Sequence, residues 1–364
     1  MAIVKLGDIT IEAKSSNKGD KTGIRIVGLE HLIPSNVTLS SWSEDTENTF
    51  TKEFSKGDVL FGRRRAYLKK AAVAPFDGIC SGDITVIRAI EDKVDPDLLP
   101  FIIQNDFLFD FAVGKSAGSL SPRVKWTHLK EFAIELPLMP EQSKLAETLW
   151  SINETKNAYE DLINKTDELV KSQFIEMFGD PNDPLKSVPF EVAFTIRDDL
   201  RKPINDTVRA EMHENAEYPY YGANGQVDTI NEYLMDCIAL CLAEDCGAYG
   251  AGDATSYIVD GKCWVNNHAH VLIPKECCDI NYANAFFRVM DLSKYVSGTT
   301  RLKLTQGKMK EIPVVLPEFD QQIMFADFVN QSDKSKFALQ EAIKDLDALS
   351  KKIIAENLIP AGKE

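Results

Sequence analysis

Apolar and ring side chains recur every three or four residues from Ser143 to Phe178, at Leu145, Leu149, Ile152, Tyr159, Leu162, Leu169, Phe174 and Met177 among others, with Glu, Lys and Asp between them. That is the period of an amphipathic helix. No Pro or Gly interrupts the run, and Gly179, Asp180 and Pro181 end it with a C-cap glycine and a breaker. About 36 residues of helix span roughly 54 Å at 1.5 Å per residue, so the pattern predicts a coiled-coil arm. Residues 321–357 repeat it, with Phe325, Phe328, Val329, Leu339, Ile343, Leu346 and Ile353 on a similar stripe that stops before Pro360.

The text ahead of each helix is duplicated too. Residues 123–142 read RVKWTHLKEFAIELPLMPEQ and residues 301–322 read RLKLTQGKMKEIPVVLPEFDQQ. A shift of 180 pairs Lys130 with Lys310, Glu131 with Glu311, Leu136 with Leu316, Gln142 with Gln322 and Ala146 with Ala326. Upstream, Arg123-x-Lys125-x-Thr127 matches Arg301-x-Lys303-x-Thr305 at a shift of 178, which implies two residues inserted near Gln306-Gly307. The second copy has Asp320-Gln321-Gln322 where the first has Pro140-Glu141-Gln142.

The bodies before the helices, residues 57–89 and 236–273, alternate β-branched and aromatic residues with Gly and Asp punctuation, as strands and turns do. Short helical pieces are expected at 95–113 and 281–296, in corresponding places. The order globule, helix, globule, helix predicts an α+β fold. Two similar mixed α/β domains, residues 1–141 and 180–320, are joined by two long antiparallel coiled-coil helices, residues 142–179 and 321–359, in a pseudo-two-fold internal repeat. The two helices are expected to lie alongside each other.

At 364 residues the chain has room for two or three cores. No run of 18 apolar residues occurs and MAIVKLGDIT lacks the apolar region of a signal peptide, so a cytoplasmic protein with no membrane partner is expected. The seven cysteines are odd in number, and six lie in the second half, which favours reduced thiols over a disulfide framework. Cys263, His268 and His270 could be imagined around a metal, but without C-x-x-C or H-E-x-x-H spacing the expectation is none. The net charge of −15 excludes a simple nucleic-acid coater. Charge is uneven, however: residues 52–70 carry seven Lys or Arg against two acids. No G-x-S-x-G, phosphate loop or dinucleotide fingerprint is present, so no catalytic residue is expected.

LKEFAIELPLMPEQSKLAETL, its degenerate copy MKEIPVVLPEFDQQIMFADFV, the helix exit QFIEMFGDP, YPYYGANGQVD and GAYGAGDATSYIVDGKCWVNNHAHVL together resemble the DNA-specificity subunit of type I restriction-modification systems. The resemblance covers nearly the whole chain. It implies two target-recognition domains, each reading one half of a bipartite double-stranded DNA site. It also implies spacer helices that dock two modification (methyltransferase) subunits, with restriction subunits joining. The chain itself is then expected to bind no cofactor; S-adenosylmethionine, ATP and Mg belong to the partners.

Arg63, Arg64 and Arg65, followed by Tyr67 and Lys69, are the leading DNA-contact candidates. Read as a strand, Arg63 and Arg65 share one face and Arg64 the other. Arg binds guanine or phosphate, though a solvated charge cluster is the alternative. Lys115, Ser116, Ser119, Arg123 and Lys125 form a basic loop, matched by Thr299, Thr300, Arg301 and Lys303; Arg123 and Arg301 could equally anchor the loop. Tyr221, Asn224 and Gln226 lie in a Gly-containing loop, where Asn and Gln can read adenine and Asn-Gly can equally be a tight turn. A coiled-coil scaffold whose globules bind protein, and a Cys/His metalloenzyme, are the competing functional readings.

Overall fold

The structure, a computed structural model, describes residues 2–44, 47–118, 120–299 and 301–362, with the backbone alone at Pro184. Contacts divide the chain into two units, Met1–Glu160 with Gln340–Glu364, and Asp161–Leu339. In the first, strands Thr10–Glu12, Ile84–Ala89, Val59–Gly62 and Ala71–Val73 form an antiparallel sheet in that order. Alternate residues serve two cores, as strand geometry requires. Val59, Phe61 and Ile87 pack with Phe101 and Phe109 of the short helices Leu99–Ile103 and Asp106–Gly114, while Leu60, Ile84 and Val86 pack with Val27 and Phe54.

The second unit repeats this plan with Phe194–Ile196, Ala269–Pro274, Ala239–Ala243 and Ser256–Val259, in the same order and all antiparallel. Leu240, Leu242 and Leu272 face helix Ile280–Val289, and Ala239, Cys241 and Val271 face the other way. Each unit adds a small sheet with one parallel pair: Ile26–Val27 with Gly78–Cys80, and Tyr218–Gly222 with Lys262–Val265. The second unit extends this sheet by a hairpin strand, Gly225–Ile230.

The long helices are Met139–Phe178 and Phe319–Asn357, 40 and 39 residues, or about 60 Å each at 1.5 Å per residue. They start at 139 and 319 rather than 143 and 321; in the first, Pro140 fits the opening turn, where its missing N–H costs nothing. Gly179 ends the first at φ +89°, the left-handed conformation its C-cap position predicts.

In the first unit the opening turns of the first helix lie against the last turns of the second. Ala146, Leu149, Ile354 and Leu358 share a core, and Lys156 Nζ pairs with Asp347 at 2.9 Å. In the second unit Val170, Phe174, Phe325 and Val329 share a core, and Lys336 pairs with Asp167 at 2.5 Å. The two lysines are 180 residues apart, and so are the two aspartates. One contact is therefore made twice with the roles exchanged, the signature of isologous pairing. Two helices alone bury only one side of each, so Leu162 and Phe337 remain 49% and 64% exposed.

The repeated glutamine has a structural role. Buried Gln142 donates from Nε2 to the Pro137 carbonyl (2.9 Å) and accepts from the Asp95 N–H at Oε1 (2.9 Å). Gln322 donates to the Pro317 and Cys277 carbonyls (2.8 and 2.9 Å) and accepts from the Asp279 N–H (2.8 Å). Each amide thus fastens a helix entry to the segment leading into the short helices of its own unit.

The 178-residue match upstream is corrected. Arg123 and Ala117 form a two-way bridge, as do Lys303 and Ser297, and the short helices Trp126–Leu129 and Gln306–Met309 follow at equal distance. The shift is 180 throughout, so Arg123 corresponds to Lys303, Lys125 to Thr305 and Ser121 to Arg301. Gly118 and Gly298, at φ +114° and +104°, mark the same turn. Side-chain likeness misled the alignment; backbone pairing decides it.

Strand Ala2–Lys5 pairs with Ala133–Leu136, whose other edge takes residues 359–361 through Glu135 N–H to the Ile359 carbonyl (2.8 Å) and Ala361 N–H to the Ala133 carbonyl (3.0 Å). Among the described residues no helix is long and apolar enough to cross a membrane.

Replacing Gln142 by Ala strands an N–H and a carbonyl, and replacing Gln322 strands an N–H and two carbonyls, so each variant is expected to lose at least about 2 kcal/mol in urea unfolding, at roughly 1–3 kcal/mol per orphaned group. Exposed Gln340→Ala should stay within about 0.5 kcal/mol of the parent.

Candidate nucleic-acid interface

In the first unit, strand Val59–Gly62 stops where the basic run begins, so Arg63, Arg64 and Arg65 do not alternate as strand residues. Arg63 donates its N–H to the Asp83 carbonyl (3.0 Å), and its own carbonyl accepts from the Val124 N–H (3.0 Å). Arg65 turns into the left-handed region at φ +54°, donates to the Pro122 carbonyl (2.8 Å) and opens the short 3-10 helix Ala66–Leu68, which Lys69 ends at φ +50°. Two non-glycine residues held there cost about 1–3 kcal/mol each.

The basic run and the basic loop meet around one acid. Arg123 donates to Asp83 from Nε and an outer nitrogen at 2.7 and 3.1 Å. Arg64 lies 3.5 Å from Asp83 and donates to Ser121 Oγ at 3.0 Å. The Arg123 hydrogen bond, joined by the charges of Arg123, Arg64 and Arg63, holds the Asp83 carboxyl below the ordinary value. Arg65 is exposed, as are Lys115 and Lys125.

The second unit builds the same joint with opposite polarity. Glu244 N–H donates to the His268 carbonyl (2.8 Å) as Arg63 N–H does to Asp83, and Leu304 N–H donates to the Glu244 carbonyl (2.8 Å) as Val124 does to Arg63. Glu244 therefore stands for Arg63, Asp245 for Arg64 and His268 for Asp83. Asp245 pairs with Arg301 and with His268 Nδ1 (2.9 Å), and Lys303 Nζ lies 2.7 Å from Glu244. Burial pushes the Glu244 carboxyl up, but bonds from Lys303 and Arg201 outweigh it and hold the group low. The acids move from the Asp83 position to the Arg63 and Arg64 positions, and the loop still meets them with cations, Lys303 and Arg301.

Arg123, Arg301 and Lys303 are thus anchors as well as exposed or half-exposed cations. Tyr67 is exposed; Lys69 pairs with Asp106 at 2.5 Å. Lys115 sits over the Phe111 ring at 5.7 Å, and Ser116 Oγ donates to the Ala112 carbonyl. Thr299 is exposed on the second loop, whereas Ser119 and Thr300 lie outside the described residues. Tyr221, Asn224 and Gln226 occupy the added hairpin instead. Tyr221 stacks on Tyr257 at 5.5 Å, Asn224 donates to the Ala254 carbonyl and Gln226 to Asp228 and Thr229. Of the three residues imagined around a metal, burial pushes the Cys263 thiol up to about 11, and both histidines face carboxylates: His268 meets Asp245, and His270 meets Asp198. Among the described residues no group of His, Cys, Asp or Glu could hold a metal ion.

Sequence reasoning passed over Asp83, Asp198, Glu244 and Asp245, and weighed His270 only as a metal ligand. The paired glycines 118 and 298 were the available signal for the loop register; the acids had none, since each has a partner 40 or more residues away in Arg123, His270, Lys303 or Arg301.

A family model described as "Type I restriction modification DNA specificity domain" matches residues 2–167 and 200–346. The putative type I restriction enzyme specificity subunit S.HindORF215P of Haemophilus influenzae is 30% identical over 132 residues, 35% of this chain and 32% of the relative. The EcoDI specificity subunit of Escherichia coli is 29% identical over 146 residues, 37% and 31% of the two. The chain thus spans about a third of the length of these curated relatives. Among solved structures, one described as "Structural basis underlying complex assembly and conformational transition of the type I R-M system" aligns over 98% of this chain and 97% of its own with a TM-score of 0.57 at 17% identity. A type I restriction-modification S subunit from M. genitalium aligns over 98% and 96% with a TM-score of 0.55 at 12% identity. These two likenesses concern the fold.

A double-mutant cycle tests the joint. Arg64→Asp and Asp83→Arg each juxtapose like charges and should destabilise the first unit, while the pair together recovers about 1 kcal/mol of coupling in urea unfolding. Because folding depresses the Asp83 pKa, its contribution is full above the unfolded value of about 3.9 and lost as pH falls through the lower folded value. Protection of residues 117–124 against hydrogen exchange should therefore hold at pH 5 and fail only in stronger acid.

Proposed function

We propose that this chain, which belongs to the type I restriction modification DNA specificity family by a match spanning most of both units, is a specificity subunit whose two units each read one half of a bipartite double-stranded DNA site. The observation that carries the reading is the joint built twice. In each unit a cation-bearing loop is fastened across the end of the main sheet, and its outer residues stay exposed. In the first unit Arg65, Lys115 and Lys125 supply the exposed cations, with Arg63, Arg64 and Arg123 behind them. In the second, Arg301, Lys303 and Thr299 take that place. Arginine suits both tasks the site demands, gripping phosphate to fix register and pairing bidentately with guanine. The hairpin residues Tyr221, Asn224 and Gln226, present in one unit only, are a second surface for base contact and make the two half-sites different.

The acidic total fits a reader that grips DNA only at these loops. Catalysis is assigned to partners. The open faces of the long helices, with Leu162, Leu169 and Phe337 outermost, dock modification subunits, two of them given the exchanged helix contacts, and restriction subunits join that assembly. S-adenosylmethionine, ATP and Mg2+ serve those subunits, and the complex works in the cytoplasm.

Mapping methylated bases at single-base resolution in a host carrying the chain with its modification subunits should return two short half-sites separated by a fixed gap. One continuous site would contradict the reading, and no sequence-dependent methylation would leave a scaffold. In the same complex, Arg65→Ala and Lys125→Ala should each lower the slope of log affinity against log salt by about 1.

A further inference from the structure

We infer that Trp42 is a base-reading residue of the first unit, placed to meet the methyl group of a thymine in its half-site. The inference rests on the reading that each unit reads one half-site, and it finds the first unit's answer to the hairpin of the second. Backbone pairing fixes the place. Ser81 N–H donates to the Val27 carbonyl (2.9 Å) in the first unit, and Asn266 N–H donates to the Tyr221 carbonyl (3.0 Å) in the second. Ser81 and Asn266 stand two residues before the matched pair Asp83 and His268, so Val27 stands for Tyr221 and Ile26 for Tyr220. Ile26 exchanges both backbone bonds with Ser43 (2.8 and 3.0 Å), and Tyr220 pairs antiparallel with Asp228. Ser43 therefore stands for Asp228, and Trp42 falls at Val227, next to Gln226. Both places carry an apolar side chain left in water: Trp42 is 41% exposed and Val227 59%.

Where the second unit makes a tight turn, the first has a longer loop, residues 28–42, and that loop is held. His31 Nδ1 accepts the Gly28 N–H (2.9 Å), and its Nε2 lies 3.2 Å from Ser43 Oγ, so one ring ties the two ends together. Lys70 Nζ donates to the Leu29 carbonyl (2.8 Å), which lays the root of the loop against the basic run. Trp42 meets Phe76 edge to face with ring centroids 4.9 Å apart, and the Arg25 guanidinium lies 5.2 Å from the indole centroid. A ring fixed in this way loses little freedom on meeting a partner.

The partner's chemistry follows from what the indole has left to offer. Its one donor, Nε1, goes to Glu44 Oε1 at 3.1 Å. Arg25 Nε stands 3.7 Å from the same oxygen, so the acid does not face phosphate alone. What remains exposed on Trp42 is hydrocarbon. A base pair shows one apolar group on its major-groove edge, the thymine methyl, and none in the minor groove. Trp42 therefore selects an A·T pair by burying that methyl, a contact that asks nothing of the bonded N–H.

The test uses the full chain in complex with its modification subunits, on a duplex bearing the site that methylation mapping returns. In the parent at saturating duplex, hydroxyl-radical oxidation of Trp42 should fall. It should return when the bases of one half-site, and that one only, are scrambled, which assigns that half-site to the first unit. Uracil in place of each of its thymines in turn removes a methyl and keeps every hydrogen bond. At one position binding should weaken by about fourfold, the worth of one buried methyl-sized group, and Trp42→Ala should erase that penalty while the other half-site is still discriminated. Oxidation that the duplex leaves unchanged, or that tracks neither half-site or both, overturns the inference in the parent chain alone, whether or not the variant folds. So does an assigned half-site without thymine, uracil tolerated at every position in it, or a penalty that survives in Trp42→Ala. In each of these cases a split site leaves the half-site reading standing, whereas one continuous site removes both.

Discussion

A buried carboxamide couples each globular body to the helix that leaves it. Gln142 and Gln322 each bridge the carbonyl before a helix and an N–H at the root of the short helices beyond the main sheet, bonds that no exposed side chain could make without competing with water. Apolar packing around Leu149 and Phe325 supplies most of the adhesion, but packing is non-directional. The amide adds direction. It holds the first turn of each long helix to one place on its own body.

The loop joints show what has to be kept and what is free to drift. Arg64 beside Asp83 in one unit gives way to Asp245 beside His268 in the other, and the incoming loop residue changes to match, Ser121 in one and Arg301 in the other. Coulomb attraction depends on the product of the charges, so the joint survives relocation of its acid provided a loop cation still meets it, as Arg123 meets Asp83 and Lys303 meets Glu244. The surface that results does not survive unchanged: one unit gathers arginines around a single acid, and the other sinks two acids beneath cations. Two bodies with one fold thereby acquire different faces.

The long helices, their exit at Gly179 and the strand-rich bodies were legible because they rest on local periodicity and on one glycine with a breaker behind it. Arg63 to Arg65 read as a strand because charge carries no signal of the left-handed turn that Arg65 makes. The loop register failed for a related reason, since Arg and Lys look alike in text, whereas Gly118 and Gly298 answer to backbone geometry and mark the true alignment. His270 meets residues 72 and 34 positions away, in Asp198 and Leu304, so these contacts exist only after the sheet has formed.

Residues 359–361 lie along the far edge of strand Ala133–Leu136, while Ile354 and Leu358 fill the core behind it. During synthesis the body begun by residues 1–160 therefore keeps its apolar seat open until residues 340–362 have been made, whereas residues 161–339 already contain what their own body needs. The body begun first closes last, and its exposed seat is open to chaperones and proteases in the meantime.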